Sequence, residues 1–208
     1  MARRGSYAKG LAKREEILRS ALEVFSREGY RGTSLRELAE AVNLSQAGIL
    51  HYFDSKEQLF AEILRKRDEF DGTEYAGTDD GAHAMIAVMR HNAEVPGLVQ
   101  LYANVSAAAA EEDHPAHDYF VRRYDELRRM LADSIRTQQA AGQFSAQLDA
   151  EMIATLLIAA ADGMQVQWML DPDQNMSEHL EYLLSLLSGI GAPAGDRPTE
   201  RASEVSTR

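Results

Sequence analysis

The residues best placed to do chemistry stand together near the start of the chain. Ser45 opens a short segment whose outward face is Gln46, Ala47, Gly48, Leu50 and His51: small, uncharged and partly polar. Short side chains let a helix approach a nucleic-acid groove closely, and amide or imidazole groups read base edges there. The same spacing fits a surface turn of an ordinary helical bundle, so the segment alone leaves both readings open. A second set lies on otherwise apolar stretches: Met89, Tyr102, Asn104, Phe120, Tyr124, Asp162, Gln165 and Trp168. A few polar groups among aromatic and aliphatic side chains are what a small-molecule cavity requires. For each residue taken singly, core packing is the competing reading. Asp162 stands out because Asp is almost never fully buried without a partner. A cationic or hydroxyl-bearing ligand, Arg123 and water are its candidate partners.

Other chemistries find no support. The chain has no cysteine, which removes disulfides, thiolate metal sites and cysteine nucleophiles. Glu111, Glu112, Asp113, His114 and His117 cluster beside Pro115 but lack a metal-ligand spacing, and read as solvated charge. No nucleophile-elbow sequence is present. No catalytic residue, metal or cofactor is therefore expected, and the chain is not read as an enzyme. No apolar run near 18 residues suggests a membrane span, and the first thirty residues lack the apolar core of a signal peptide. The expected location is the cytoplasm.

Helices must position these residues. Ala, Leu, Glu, Arg and Gln dominate, only five prolines interrupt 208 residues, and no strand-like alternation persists. The fold class read from this is all-α. Leu18, Ala21, Leu22 and Phe25 share one face of a helix over 12–28, with Gly29 as its stop. Ser34 to Glu37 has the form of a capping box opening a second helix, and Asn43 stands where a left-handed turn is needed. Ser45 caps a third helix through Phe53, with Ile49, Tyr52 and Phe53 inward. Ser55 to Gln58 forms a further capping box before a fourth helix carrying Leu59, Phe60, Ile63 and Leu64. Residues 71–81, with three glycines and four acids, read as a loop. Five more helices follow near 82–94, 97–112, 116–141, 149–170 and 177–189.

Charge divides the chain unevenly. Residues 1–67 carry 13 Lys and Arg against 9 Asp and Glu, a net of +4, and residues 68–208 carry 9 against 24, a net of −15. A basic head on an acidic body concentrates favourable phosphate contact at one end. The expected layout is a flexible basic arm over 1–10, a head over 11–66, a larger helical body over 67–189 and a disordered tail over 190–208.

Gly29, the run Thr33 to Ala39, Leu44-Ser45, and the run Ile49 to Leu59 resemble the DNA-binding domain of the TetR family of bacterial regulators. The resemblance covers about residues 11–60 and fades after 66. It implies a three-helix helix-turn-helix domain followed by a larger helical domain for ligand binding and dimerisation. Gln46, Ala47 and Gly48 then begin the recognition helix, with Gln46 suited to adenine and the Ala47 methyl to thymine. Tyr52 and Lys56 fall where the family contacts the DNA backbone, Lys56 at a helix N-terminus that favours phosphate. Thr33 and Ser34 are further phosphate donors, and Arg36 reaches phosphate or base. Ser34 reads equally well as a cap. Arg3, Arg4, Lys9 and Lys13 are candidate arm contacts. Two departures stand out: Leu50 replaces the usual Tyr, and Gly48 replaces Thr or Ser. Recognition then leans on Gln46, His51, Tyr52 and backbone contacts.

In the body, 149–170 is apolar nearly all round, and 177–189 repeats Leu180, Leu183, Leu184, Leu186 and Leu187. Two such helices at the chain end would pair with their symmetry mates as a homodimer interface. The functional expectation is a repressor released from a palindromic double-stranded operator by a small-molecule effector. A helical small-molecule-binding protein or enzyme without specific DNA affinity is the alternative.

Overall fold

A computed structural model describes residues 2–74 and 81–189, and their side chains except at 2–8, 28–32 and 74. Among the described residues the chain is all-helical: α1 (Ala2–Gly32), α2 (Leu35–Ala41), α3 (Gln46–Ile49), α4 (Lys56–Glu74), α5 (Gly81–Asn92), α6 (Pro96–Ala108), α7 (His117–Ala140), α8 (Ala150–Leu170) and α9 (Met176–Gly189). The last five begin and end within a few residues of the positions that apolar periodicity predicts. The expected tail at 190–208 lies outside the described residues, as do 75–80 of the expected loop.

Three boundaries differ from the sequence reading. Helix α1 begins at Ala2, where an arm is expected, and passes Gly29 to end at Gly32. Ala, Arg and Lys are good helix formers, and an interior glycine costs only about 1 kcal/mol. Helix α3 stops at Ile49 rather than Phe53. The Tyr52 N–H donates to the Ile49 carbonyl at 2.8 Å, winding the following residues into turns. That path seats both Ile49 and Phe53 in the core, at 0% and 1% exposure. Helix α4 runs unbroken through the expected domain boundary at 66 and into the expected loop at 71. Arg67 and Asp71, one turn apart on this stretch, are both buried and face one another at 3.7 Å.

Two cores hold the helices. Phe25, Phe53, Leu59 and Ile63 of the head share one with Leu101, Tyr102 and Phe120 of α6 and α7. The head therefore packs directly onto the body, chiefly through α1 against α6. The second core joins α5, α7, α8 and α9 through Ile86, Leu131, Ile135, Leu157, Trp168 and Leu180. By length and composition α8 is apolar enough to cross a membrane, which corrects the reading that no such run exists. Its inner face, with Ile153, Ala154, Leu157 and Ile158, is buried. Met152, Leu156, Val166 and Leu170 form an uncovered outer stripe.

Candidate nucleic-acid interface and interior cavity

The turn between α2 and α3 is built by local chemistry. Ser34 Oγ accepts from the Glu37 N–H at 3.2 Å, and the Glu37 carboxylate accepts from the Ser34 N–H, which completes the expected capping box. The Ser34 N–H, helped by the Ser34 side chain, holds the Glu37 carboxyl below its usual pKa. Asn43 makes the turn in the left-handed region, at φ 53°. Ser45 Oγ then accepts from the Gly48 N–H at 3.0 Å and caps α3. A Cβ at residue 48 would lie 3.3 Å from both Leu44 Cβ and that hydroxyl, so glycine leaves the cap uncrowded.

Ser45, Gln46, Ala47, Leu50 and His51 are exposed, with Gly48 and Tyr52 half-buried among them. The His51 ring stands edge-on to Tyr52, 5.5 Å between centroids. Ser34, Arg36 and Lys56 are also exposed. Arg36 is paired with Glu40 at 2.9 Å on its own helix, and Lys56 Nζ sits 5.1 Å from the Phe60 ring centroid. Thr33 is buried.

The arm candidates fare differently. Lys13 Nζ donates to the Val42 carbonyl at 3.1 Å and pairs with Glu16 at 2.8 Å, so it caps the C-terminus of α2 and is not an arm group. Its neighbour Arg14 stacks over Phe53 at 4.9 Å and pairs with Glu62 at 2.8 Å. Together they clamp the short helices between α1 and α4, which a four-residue helix needs for stability. Lys9 is exposed on α1, and the side chains of Arg3 and Arg4 lie outside the described ones.

A cavity of about 690 Å³ lies in the body, walled by α4, α5, α7 and α8. Its apolar wall includes Met85, Val88, Met89, Leu127, Met130 and Ile158, and its polar wall includes Arg67, Asp68, Asp71, Asn92, Arg123, Asp162 and Gln165. Arg123 Nε donates to Asp68 Oδ2 at 2.8 Å, and Arg123 Nη1 donates to Tyr102 Oη at 3.1 Å. The Tyr119 hydroxyl also donates to Asp68. Asp162 accepts from Tyr102 Oη at 3.0 Å and from Tyr124 Oη at 2.7 Å. Both Arg67 and Arg123 guanidinium groups lie over the Tyr102 ring, at 5.3 and 4.9 Å.

Electrostatics follow from this packing. Burial works against the Asp68 carboxylate, but Arg123 and Arg67 outweigh it and hold its pKa low. Asp71 goes the other way: burial raises it, and Arg67 at 3.7 Å only partly compensates. Burial, with Asp162 alongside, pushes the Tyr102 hydroxyl up to about 12, so it remains a hydrogen-bond donor at neutral pH.

Of the expected ligand residues, Met89, Asp162 and Gln165 line the cavity. Tyr102 and Tyr124 sit behind it and orient Asp162. Phe120 and Trp168 are core residues outside the cavity wall, which corrects their expected role. Asn104 is exposed, with its amide donating to the Gln100 carbonyl at 2.7 Å, a second correction. In the Glu111–His117 stretch, the two imidazoles serve the backbone: His114 Nδ1 accepts from the Ala116 N–H, and His117 Nδ1 meets the Ala109 carbonyl. Sequence reasoning missed Arg67, Asp68, Asp71 and Asn92. Asp71 falls at the start of the expected loop, Arg67 and Asp68 at the start of the expected body, and Asn92 on the expected helix over 82–94; only the i, i+4 spacing of Arg67 and Asp71 hints at a buried face.

Comparison with known proteins fits this geometry. Residues 17–63 match the bacterial regulatory proteins of the tetR family, and residues 80–187 match the C-terminal domain of BetI-type transcriptional repressors. The transcriptional repressor KstR2 of Mycolicibacterium smegmatis is 25% identical over 194 residues, 89% of this chain and 94% of that protein. A transcriptional regulator from Saccharomonospora viridis, solved in complex with choline, superposes with a TM-score of 0.62 at 25% identity, covering 83% of this chain and 95% of that one. AibR, solved with isovaleryl coenzyme A and operator DNA, superposes at 0.54 and 21% identity, covering 84% and 97%.

Proposed function

The chain belongs to the TetR family of bacterial transcriptional repressors, DNA-binding proteins that respond to small molecules, and from that premise we propose how its parts divide the work. Ser45, Gln46, Ala47, Gly48 and His51 enter the major groove. Ser34, Arg36, Tyr52 and Lys56 hold the DNA backbone, with Arg36 released from Glu40 to do so. The match over the head sets aside a helical binding protein or enzyme without DNA affinity. The protein works in the cytoplasm, where its operator is.

Two copies pair through α8 and α9. Met152, Leu156, Val166 and Leu170 on α8 and Tyr182 and Leu186 on α9 are all between 48% and 84% exposed in the single chain. A stripe of this kind at the end of two adjacent helices is what a two-fold partner covers. Gly163 lies between Leu156 and Val166 with open space beside it, which permits close approach. A dimer places two recognition segments on the two halves of a palindrome.

The cavity holds the effector. The observation that carries this is the continuity of α4, which bears Lys56 at its first residue and Arg67, Asp68 and Asp71 on the cavity wall. A ligand that displaces these groups tilts one rigid helix and moves the head with it, so the two heads no longer match the half-site spacing. Neither neighbour's ligand transfers readily. Among the described residues lining the cavity no aromatic ring is present to cage choline, and the lining cations are Arg67 and Arg123, both in the interior, so none at the mouth meets the phosphates of a coenzyme A.

Retardation of the chain's own upstream DNA tests the reading. The expected outcome is a sequence-specific complex that weakens as salt rises. Absence of such a complex from the ligand-free protein overturns it.

A further inference from the structure

The buried charges of the cavity wall have partners, but its hydrogen bonds are not all made. Arg123 and the Tyr119 hydroxyl claim Asp68. Two tyrosine hydroxyls claim Asp162. Asp71 faces Arg67 at 3.7 Å, and burial favours its neutral form. Each buried guanidinium and carboxyl group of the wall thus already has a partner within the protein. The two further carboxylates of the lining, Glu126 and Asp133, are exposed, with Asp133 paired to Arg136.

What is left over is hydrogen-bonding capacity. Arg67 is 5% exposed, yet its Nε and Nη1 have no acceptor: Asp71 stands 3.7 Å from Nε, and Asp68 lies 3.7 Å from Nη2. Asn92 is 2% exposed, and its Nδ2 donates to Met89 Sδ at 3.8 Å while Oδ1 has no donor. Gln165 is 4% exposed, and its Oε1 has no donor either. Buried polar groups of this kind are normally paired. These three come from α4, α5 and α8 and line one cavity, with an apolar wall of Met85, Val88, Leu127, Met130 and Ile158 beside them. The methionines adapt to varied shapes.

We propose that the effector is an uncharged, mostly apolar molecule whose polar end sets a carbonyl beside an N–H donor, as a carboxamide or lactam does. The carbonyl accepts from Arg67, and the N–H donates to Asn92 Oδ1. The inference rests on the reading of this cavity as the effector site.

Three probes of one chain length test it on the full-length protein: octanamide, octanoate and octyltrimethylammonium. Binding is read from the melting temperature, and regulation from retention of the upstream DNA fragment. Octanamide is expected to bind about tenfold more tightly than either charged probe, the scale set by satisfying a buried unpaired group. Asn92→Leu should erase that preference and leave ligand-free DNA binding unchanged. Arg67→Met should also erase the preference, but it strips the contacts to Asp68 and Asp71 on α4 and so disturbs the head as well, and Asn92→Leu is therefore the deciding variant. Equal binding of all three probes, preference for a charged one, or no binding of octanamide overturns the inference. Preferred octanamide binding that leaves the DNA complex intact at saturation supports the head-group chemistry and overturns the effector reading of the cavity.

Discussion

Arg123 Nε meets Asp68 Oδ2 at 2.8 Å and so ties α7 of the body to α4, the helix that begins at Lys56 beside the recognition segment. Arg123 also reaches Tyr102, whose hydroxyl meets Asp162 on α8. Four helices are thus linked through one polar cluster at the cavity wall. Such a cluster has discrete arrangements rather than a continuum, which suits the proposed movement of α4.

Asp68→Asn should destabilise the protein by about 3 kcal/mol at neutral pH, because it leaves the buried Arg123 without its carboxylate. The native Asp68 pKa is depressed, so its contribution is complete above the unfolded carboxylate pKa and is lost as pH falls through the folded one. The gap between wild type and variant should therefore be wide at pH 7 and begin to narrow only below about pH 4, the unfolded carboxylate range. Urea unfolding at pH 7 and pH 3.5 measures this. A gap independent of pH contradicts it.

Gln46→Ala should change base preference at one position of each half-site, at a cost of about 1–3 kcal/mol for the preferred base. Gln46 is exposed on a helix whose neighbours Ala47 and Gly48 are small. Selection of bound sequences from a random pool reads the preference directly, and an unchanged consensus rules the contact out.

Lys56→Ala should weaken binding to every sequence alike and lower the salt dependence by about one ion. Its ammonium lies over Phe60 at the start of α4, free of any carboxylate in the hydrogen bonds and ion pairs of the described residues. Titrations at several salt concentrations measure the slope.

Leu156→Glu should yield monomers. Leu156 is 60% exposed on the outer stripe of α8, so the substitution is tolerated in a single chain but buries a charge in a two-fold interface. Light scattering after size exclusion reports the mass, and operator affinity should fall by roughly tenfold or more as half-site binding becomes independent. A dimer of unchanged stability moves the interface elsewhere.

Much of the head is written locally. Ser34 with Glu37, Asn43, and Ser45 before Gly48 are caps and a turn that act within five residues, so their types and spacing foretell their geometry. Apolar periodicity likewise marks the five body helices, since a 3.6-residue repeat reports the buried face wherever that face goes. Together these determine an all-helical chain with Gln46 and Ala47 on an outer face, and the resemblance of that stretch to the TetR family supplies the regulator. The cavity is different. Arg67, Asn92, Arg123 and Asp162 come from four helices, and no local rule says which charged residue on a helix turns inward. That choice depends on what stands opposite. Tyr102 and Tyr124 make Asp162 acceptable inside, Asp68 does so for Arg123, and Lys13 is drawn from the DNA side by the open carbonyl of Val42. Burying a charge costs more than any local preference can supply, so only the assembled helices decide where it is allowed.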